Sequence, residues 1–282
     1  MRWSFSRVNA WDGCKIAWHK NYIQKDRDQI NNFFSSFGLF CEDLIQMADE
    51  EVIPYENLAE YYCDNFAEKV PEVSMYMSRG KMEPMDLKYF YFRAALHFFE
   101  NFKGFSEPTL SFQEKVDLTL PNGDNFIGYI DRLSGTPEKY SIIDFKSKGQ
   151  FKTKKELKRY ARQLYVYSEH TINKYGVEPE MMYFHLFRSY GKTNKNGTRR
   201  DIVKIPWNKS DYEETLKWRD DTISEIKSVA LGSDKWVPEN KEPDFFFCQH
   251  LCSFSHNCKV HKEKNAEKTK EYEELFNLAE IK

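Results

Sequence analysis

The chain has 282 residues, 40% hydrophobic and 16% aromatic, with a formal net charge of -2. That composition supplies a sizeable core for one large domain or two small ones. It excludes a globally basic nucleic-acid binder, so a site for a polyanion must be local, and no run of about 18 apolar residues offers a membrane span.

The N-terminus, Met1 to Arg7, lacks the apolar centre of a signal peptide. A cytoplasmic, reducing setting is therefore expected, in which six cysteines serve as metal ligands or core residues rather than as disulfides. Residues 1–11 are short and aromatic, and Cys14 opens a predicted helix running through Trp18 and Tyr22. Residues 26–36 are polar. Phe37, Phe40, Leu44 and Ile45 then recur at helical spacing and predict a helix over 37–49. Further helices are predicted over 55–70 and, after a loop at 71–84, over 85–102.

At Thr109 the period changes to two. Strands are predicted over 110–118, 126–133 and 140–146, the first two separated by a Pro-Asn-Gly-Asp turn at 121–124. A helix over 153–175, a buried strand over 181–187, a loop at 189–200 and a strand at 201–205 follow. The chain continues with a helix over 210–231 that carries a Ser-Asp cap signal, a loop at 234–244, the run Phe245-Phe246-Phe247-Cys248, and a charged helix over 262–281. The expected fold is a single α/β domain over 1–282. It has a central mixed sheet with helices on both faces, a mainly helical part (1–108), a core (109–205), and a C-terminal helix with a cysteine cluster (206–282).

The stretch Gly128 to Lys148 carries the chemistry. Asp144 and Lys146 are two apart in a strand and share a face. If the two strands pair as a hairpin, Asp131 reaches the same point. Apolar neighbours (Ile130, Ile142, Ile143, Phe145) bracket charges that resist burial. Two carboxylates and a backbone carbonyl, that of Phe145, suit Mg2+ or Mn2+, and the ammonium suits a phosphate beside it. The other reading is of strand-end carboxylates on a solvated face. Downstream, Lys148, Lys152, Lys155, Arg159 and Arg162 belong to a local basic stretch that faces one acid, Glu156. They are candidates for DNA binding, with a solvated helix start as the alternative. Gln163 and Tyr167 share one helical face behind them.

Gly-Tyr-Ile-Asp131-Arg, Ile-Ile-Asp144-Phe-Lys146-Ser and Gln163-Leu-Tyr-Val-Tyr167 resemble the RecB-like nuclease motifs of the PD-(D/E)XK superfamily, in order and spacing. The opening Ser4-Phe5-Ser6-Arg7, with Cys14, resembles that family's start, and the overall pattern is most similar to phage-borne members related to the CRISPR-adaptation and AddB nucleases. The resemblance implies a restriction-endonuclease-like fold, with Asp131 and Asp144 as metal ligands and Lys146 as the catalytic lysine. Gln163 and Tyr167 would support substrate or site. If phage-encoded, the protein would act in the host cytoplasm. The family places a metal-binding histidine on an N-terminal helix, and here Glu42 stands in its place. Glutamate ligates Mg2+ through oxygen, and loss of the nitrogen ligand favours harder ions. His97 reads as a core histidine rather than a substitute ligand. Glu114 is a candidate acid supporting the site from its strand.

Cys248, Cys252 and Cys258 fall within eleven residues, and Cys14 is a plausible fourth donor. Four thiolates fit an iron–sulfur cluster or structural zinc. The related nucleases carry a 4Fe–4S cluster on one N-terminal and three C-terminal cysteines, which favours iron–sulfur here. His250, His256 and His261 keep a mixed Cys/His zinc site open. Cys41 and Cys63 read as buried thiols. The expected activity is metal-dependent cleavage of DNA, as an exonuclease on single strands or DNA ends in recombination, repair or replication. The alternative is a weakened nuclease fold that binds DNA or a protein partner.

Overall fold

The computed structural model describes residues 1–27, 33–71, 84–189, 201–232, 236–238, 248 and 251–263. Among them, one sheet contains β1 (Arg2–Trp3), β2 (Thr109–Thr119), β3 (Asn125–Thr136), β4 (Lys139–Lys146), β5 (Met181–Leu186) and β6 (Ile202–Ile205). β2 and β4 lie antiparallel to β3, β5 runs parallel to β4, and β6 returns antiparallel. The mixed sheet expected from the alternating segments is present.

β2 covers one edge of β3 from Asn125 to Ser134. The opposite edge is divided: β1 takes Asn125 and Phe126, and β4 takes only Arg132 to Thr136. β4 then leaves β3 and stays with β5 as far as Lys146, opposite Leu186. Residues 127–131 of β3 therefore border a gap. Buried backbone groups normally find strand partners, so a parting of strands within a sheet marks a place for side-chain chemistry.

Helices cover both faces: α1 (Phe5–Gly13), α2 (Lys15–His19), α3 (Phe33–Asp49), α4 (Leu58–Lys69), α5 (Pro84–Asn101), α6 (Lys154–Tyr175) and α7 (Lys209–Ile226). One apolar layer sets Trp11, Trp18, Leu164 and Ile223 from α1, α2, α6 and α7 against Ile130, Ile142 and Phe184. The other sets Phe37, Leu44, Tyr62 and Phe99 from α3, α4 and α5 against Ile143 and Phe145. Alternation along β4 thus sends Ile142 to one layer and Ile143 to the other, which puts Asp144 on the α6 side.

Caps fix the helix ends. Thr153 accepts from the Glu156 amide (3.0 Å), Glu156 accepts from the Lys152 amide (2.6 Å), and Gly176 closes α6 at φ +74°. One buried pair ties the second layer to the sheet. Arg132, 1% exposed, lies 3.4 Å from Asp49 at the end of α3, donates to Thr109 Oγ1 (2.6 Å) and sits 3.6 Å from the Phe105 ring centroid. Asp49 also accepts from Tyr55 (3.0 Å) and Thr109 (2.6 Å). Removing either partner of such a pair strands the other charge in a dry site.

Several expectations change. Residues 5–13 are helical, because Ser4 caps them and Val8 and Trp11 are buried. Asn208, not Ser210, caps α7 through the Asp211 amide (3.0 Å). Cys63 is exposed: Leu58, Tyr62 and Phe66 form the buried stripe of α4, and Cys63 falls off it. His97 is half-buried beside Asn101 rather than a core residue. Residues 28–32, 72–83, 190–200 and 239–247, His250, and the expected helix beyond 263 lie outside the described residues. Among the described residues no helix is long and apolar enough to cross a membrane.

Candidate active site

Asp131 and Asp144 flank the point where β3 and β4 part. The last paired residues are Arg132 and Ile143, so the two aspartates are what the next rung would have held. Asp131 spans the gap instead, its Oδ2 accepting the Phe145 amide at 2.8 Å. Asp144 is 3% exposed. Its Oδ2 is buried and accepts no well-aligned hydrogen bond, although the Lys146 ammonium pairs with it as an ion pair. Lys146 Nζ also donates to Gln163 Oε1 at 3.2 Å, which docks the strand end onto α6.

Tyr167, one turn beyond Gln163, lies over Gly128. A Cβ built on Gly128 would stand 2.8 Å from both Cε1 and Oη of Tyr167, closer than such atoms approach. That close passage explains the glycine of the Gly-Tyr-Ile-Asp stretch. Gly128→Ala is expected to destabilise the fold by about 1–3 kcal/mol. In a Tyr167→Ala background the same change is expected to cost little, and additive melting shifts would refute the contact.

Glu42 enters from α3. Its carboxyl is pushed up to about 9 by burial and then by Asp131, with Asp144 adding and Lys146 opposing. Asp131 is pushed up to about 7 by burial and by Asp144. Burial raises Asp144, while Lys146 pulls it down. Burial lowers Lys146, but Asp144 and Asp131 outweigh it and hold the ammonium charged. Tyr167 is pushed up to about 12 by burial and the Asp144 charge. Three carboxyls therefore share one partly dry space with one ammonium, an arrangement short of positive charge.

The sign of the pH effect follows. A carboxyl whose folded pKa lies above its unfolded value contributes stability that is full below the unfolded value. That stability is lost as pH rises through the folded value. The metal-free protein is expected to melt at falling temperature as pH passes about 7 for Asp131 and about 9 for Glu42. Mn2+ should restore the midpoint. Melting curves between pH 5 and 9 with and without Mn2+ test this, and a rising midpoint without metal would contradict it.

The donors here are oxygens, and the buried Asp144 oxygen among them is met by the Lys146 ammonium alone, so the chemistry of the set suits a hard divalent cation. Among the described residues no three His, Cys, Asp or Glu side chains form a group that could hold a metal ion as they stand. Glu114 is placed differently from expectation. It pairs with Lys174 and lies 3.4 Å from His170, one turn along α6 from Tyr167, and these contacts account for its lowered pKa against burial.

The basic residues divide. Lys148 pairs with Glu156 (2.8 Å) and sits over the Tyr160 ring, and Arg162 lies 3.6 Å from Asp12 and stacks over Trp218 (4.2 Å). Lys152, Lys155 and Arg159 are exposed. Lys155, Arg159 and Tyr160 line a groove of about 830 Å³ together with Asn9, Tyr22 and Phe254.

That groove ends at the cysteines. Cys14, Cys248, Cys252 and Cys258 line one cavity with Lys20, Phe254 and His261, and none of the four is in a disulfide. Burial, with Cys14 and Cys258 alongside, pushes the Cys252 thiol up. Cys14 is also the hinge of α1 and α2. Its backbone amide closes α1 on Ala10, and its sulfur accepts from the Ala17 amide at 3.5 Å. Lys20 fastens α2 to the cysteine loop through Asn257 Oδ1 (3.0 Å).

The sequence model of the PD-(D/E)XK nuclease superfamily matches residues 2–259. The chain belongs to the PD-(D/E)XK nuclease superfamily. Among solved structures, one from Eubacterium rectale, named "Putative exonuclease", matches with a TM-score of 0.51 and 16% identity over 90% of this chain and 87% of that one. At that identity the likeness is one of fold. No curated protein matches the chain.

Proposed function

We propose that the protein is a Mg2+- or Mn2+-dependent deoxyribonuclease of RecB-like type, acting as an exonuclease on single strands or DNA ends. One observation carries the reading: Glu42, Asp131, Asp144 and Lys146 act on one another electrostatically at the gap between β3 and β4. Asp131, Asp144, Glu42 and the Phe145 carbonyl would hold the cation. A bound divalent ion supplies Lewis acidity and a more acidic water. Lys146, kept charged by its two aspartates, holds the attacking water or neutralises charge growing on the phosphate. Gln163 fixes the ammonium's position at 3.2 Å, and Tyr167 walls the site from the α6 side. Lys152, Lys155 and Arg159 would follow the DNA backbone, with aromatic residues beside them for unpaired bases.

The four cysteines support a second assignment, a 4Fe–4S cluster clipping the N-terminal segment to the C-terminal loop, with structural zinc as the alternative for the same thiols. Broad visible absorption in aerobically or anaerobically purified protein would identify iron–sulfur, and a colourless protein holding one zinc would overturn it. For the nuclease itself, end-labelled single- and double-stranded DNA is incubated with Mn2+ and the products are sized over time. Mononucleotides or short oligonucleotides released from an end are expected. Failure to cut any DNA by metal-loaded protein would favour a binding role on the same scaffold.

A further inference from the structure

β4 and β5 are parallel, so both end on the same edge of the sheet, and ligands of open α/β sheets collect at such carboxyl ends. β4 ends in Asp144 and Lys146. β5 continues beside it, with the Phe187 amide donating to the Lys146 carbonyl (3.0 Å) and the Arg188 amide to the Lys148 carbonyl (3.2 Å). Arg188 is thereby held against the chain segment that leaves the catalytic strand. Its Nε donates to the Ser147 carbonyl at 2.8 Å, and its guanidinium lies 3.8 Å from the Tyr91 ring centroid and 6.0 Å from that of Phe90. α3 closes the other side, since Gly38 packs 3.7 Å from Ser147.

This guanidinium is half-buried, and among the described residues no carboxylate pairs with it. The Tyr91 ring and the Ser147 carbonyl fix its direction without neutralising it. A desolvated cation without a counter-ion is costly in a finished structure and useful where an anion is to arrive. We propose that Arg188 is a phosphate-binding residue that takes the backbone phosphate neighbouring the scissile one. The inference rests on the nuclease reading above. Arg188 Nε is fixed on the carbonyl of Ser147, one residue past Lys146, so its phosphate is the neighbour of the one at the carboxylates. Phe90 is 38% exposed beside it, and Leu39, next to Gly38, is 61% exposed. Those apolar surfaces suit an unpaired base, so the strand is single.

The test measures binding of a fluorescent single-stranded oligonucleotide by anisotropy. It uses Mn2+-loaded Lys146→Ala protein, with and without Arg188→Gln, between 50 and 300 mM salt. Loss of Arg188 is expected to weaken binding about tenfold and to reduce the slope of log affinity against log salt by about 0.7. Arg188→Lys should keep most of the slope, since it keeps the charge. Equal affinity and slope with and without Arg188 would overturn the proposal, while absence of binding by the parent would instead sink the nuclease reading. In case Arg188→Gln fails to fold, phenylglyoxal modification of unsubstituted protein provides a second measurement. Bound oligonucleotide should shield Arg188, and equal modification with and without it would again overturn the proposal.

Discussion

Lys146→Ala is expected to lower DNA cleavage at saturating Mn2+ by about a thousandfold, roughly 4 kcal/mol of transition-state stabilisation. The same change should leave Mn2+ binding intact or tighter. Lys146 acts on Glu42, Asp131 and Asp144 together, and it lies in an ion pair with Asp144. Removing it takes away a positive charge that competes with the metal for Asp144, so affinity and rate should move in opposite directions. Calorimetry for Mn2+ and single-turnover cleavage separate them. Asp144→Asn should act the other way on the metal, weakening binding as well as rate. Cleavage unchanged in Lys146→Ala would remove the residue from the chemistry. A parallel loss of metal affinity would recast it as a support for the carboxylates.

The second large effect belongs to the cysteines. Cys252→Ser is expected to abolish any visible cluster absorption and to lower the melting temperature by roughly 10–20 °C, since a clip that closes nearly the whole chain is worth about 5 kcal/mol in loop entropy. Cys63→Ser, at an exposed thiol away from the cavity, serves as the control and should melt with the parent. The Cys252 variant should also lose cleavage at temperatures where the parent is active, because Cys14 holds α1 and α2 in place against the groove. A variant that melts with the parent would mean that the four thiols hold nothing of structural weight.

Much of this arrangement is legible in the sequence because it is local. β2, β3, β4 and α6 show their periods, and Thr153 with Glu156 announces the start of α6. The aspartates and lysine fall on their strands by counting. What was not legible depends on contacts between distant segments. β1 is two residues long, too short to show a period. Arg188 sits in a plain strand end, and its meaning comes from Ser147 and Tyr91, which only the parallel pairing brings near. Glu114 pairs across the sheet with Ile130, and its partners Lys174 and His170 come from α6, a placement set by register rather than by local sequence. The exposure of Cys63 is legible in the sequence, as the stripe Leu58, Tyr62 and Phe66 leaves it outside.

The buried pair of Arg132 and Asp49 has a consequence for how this site can change. Glu42 and Asp49 lie on one helix, roughly two turns apart. Besides the buried apolar stripe of that helix, its docking is secured at the Asp49 end, by Arg132, Thr109 and Tyr55. Glu42, proposed above as the third carboxylate for the cation, is thereby relieved of part of the work of holding its own helix in place. Position 42 can exchange one donor for another, a nitrogen for an oxygen, without re-anchoring α3. The scaffold thus separates the evolution of metal preference from the evolution of the fold.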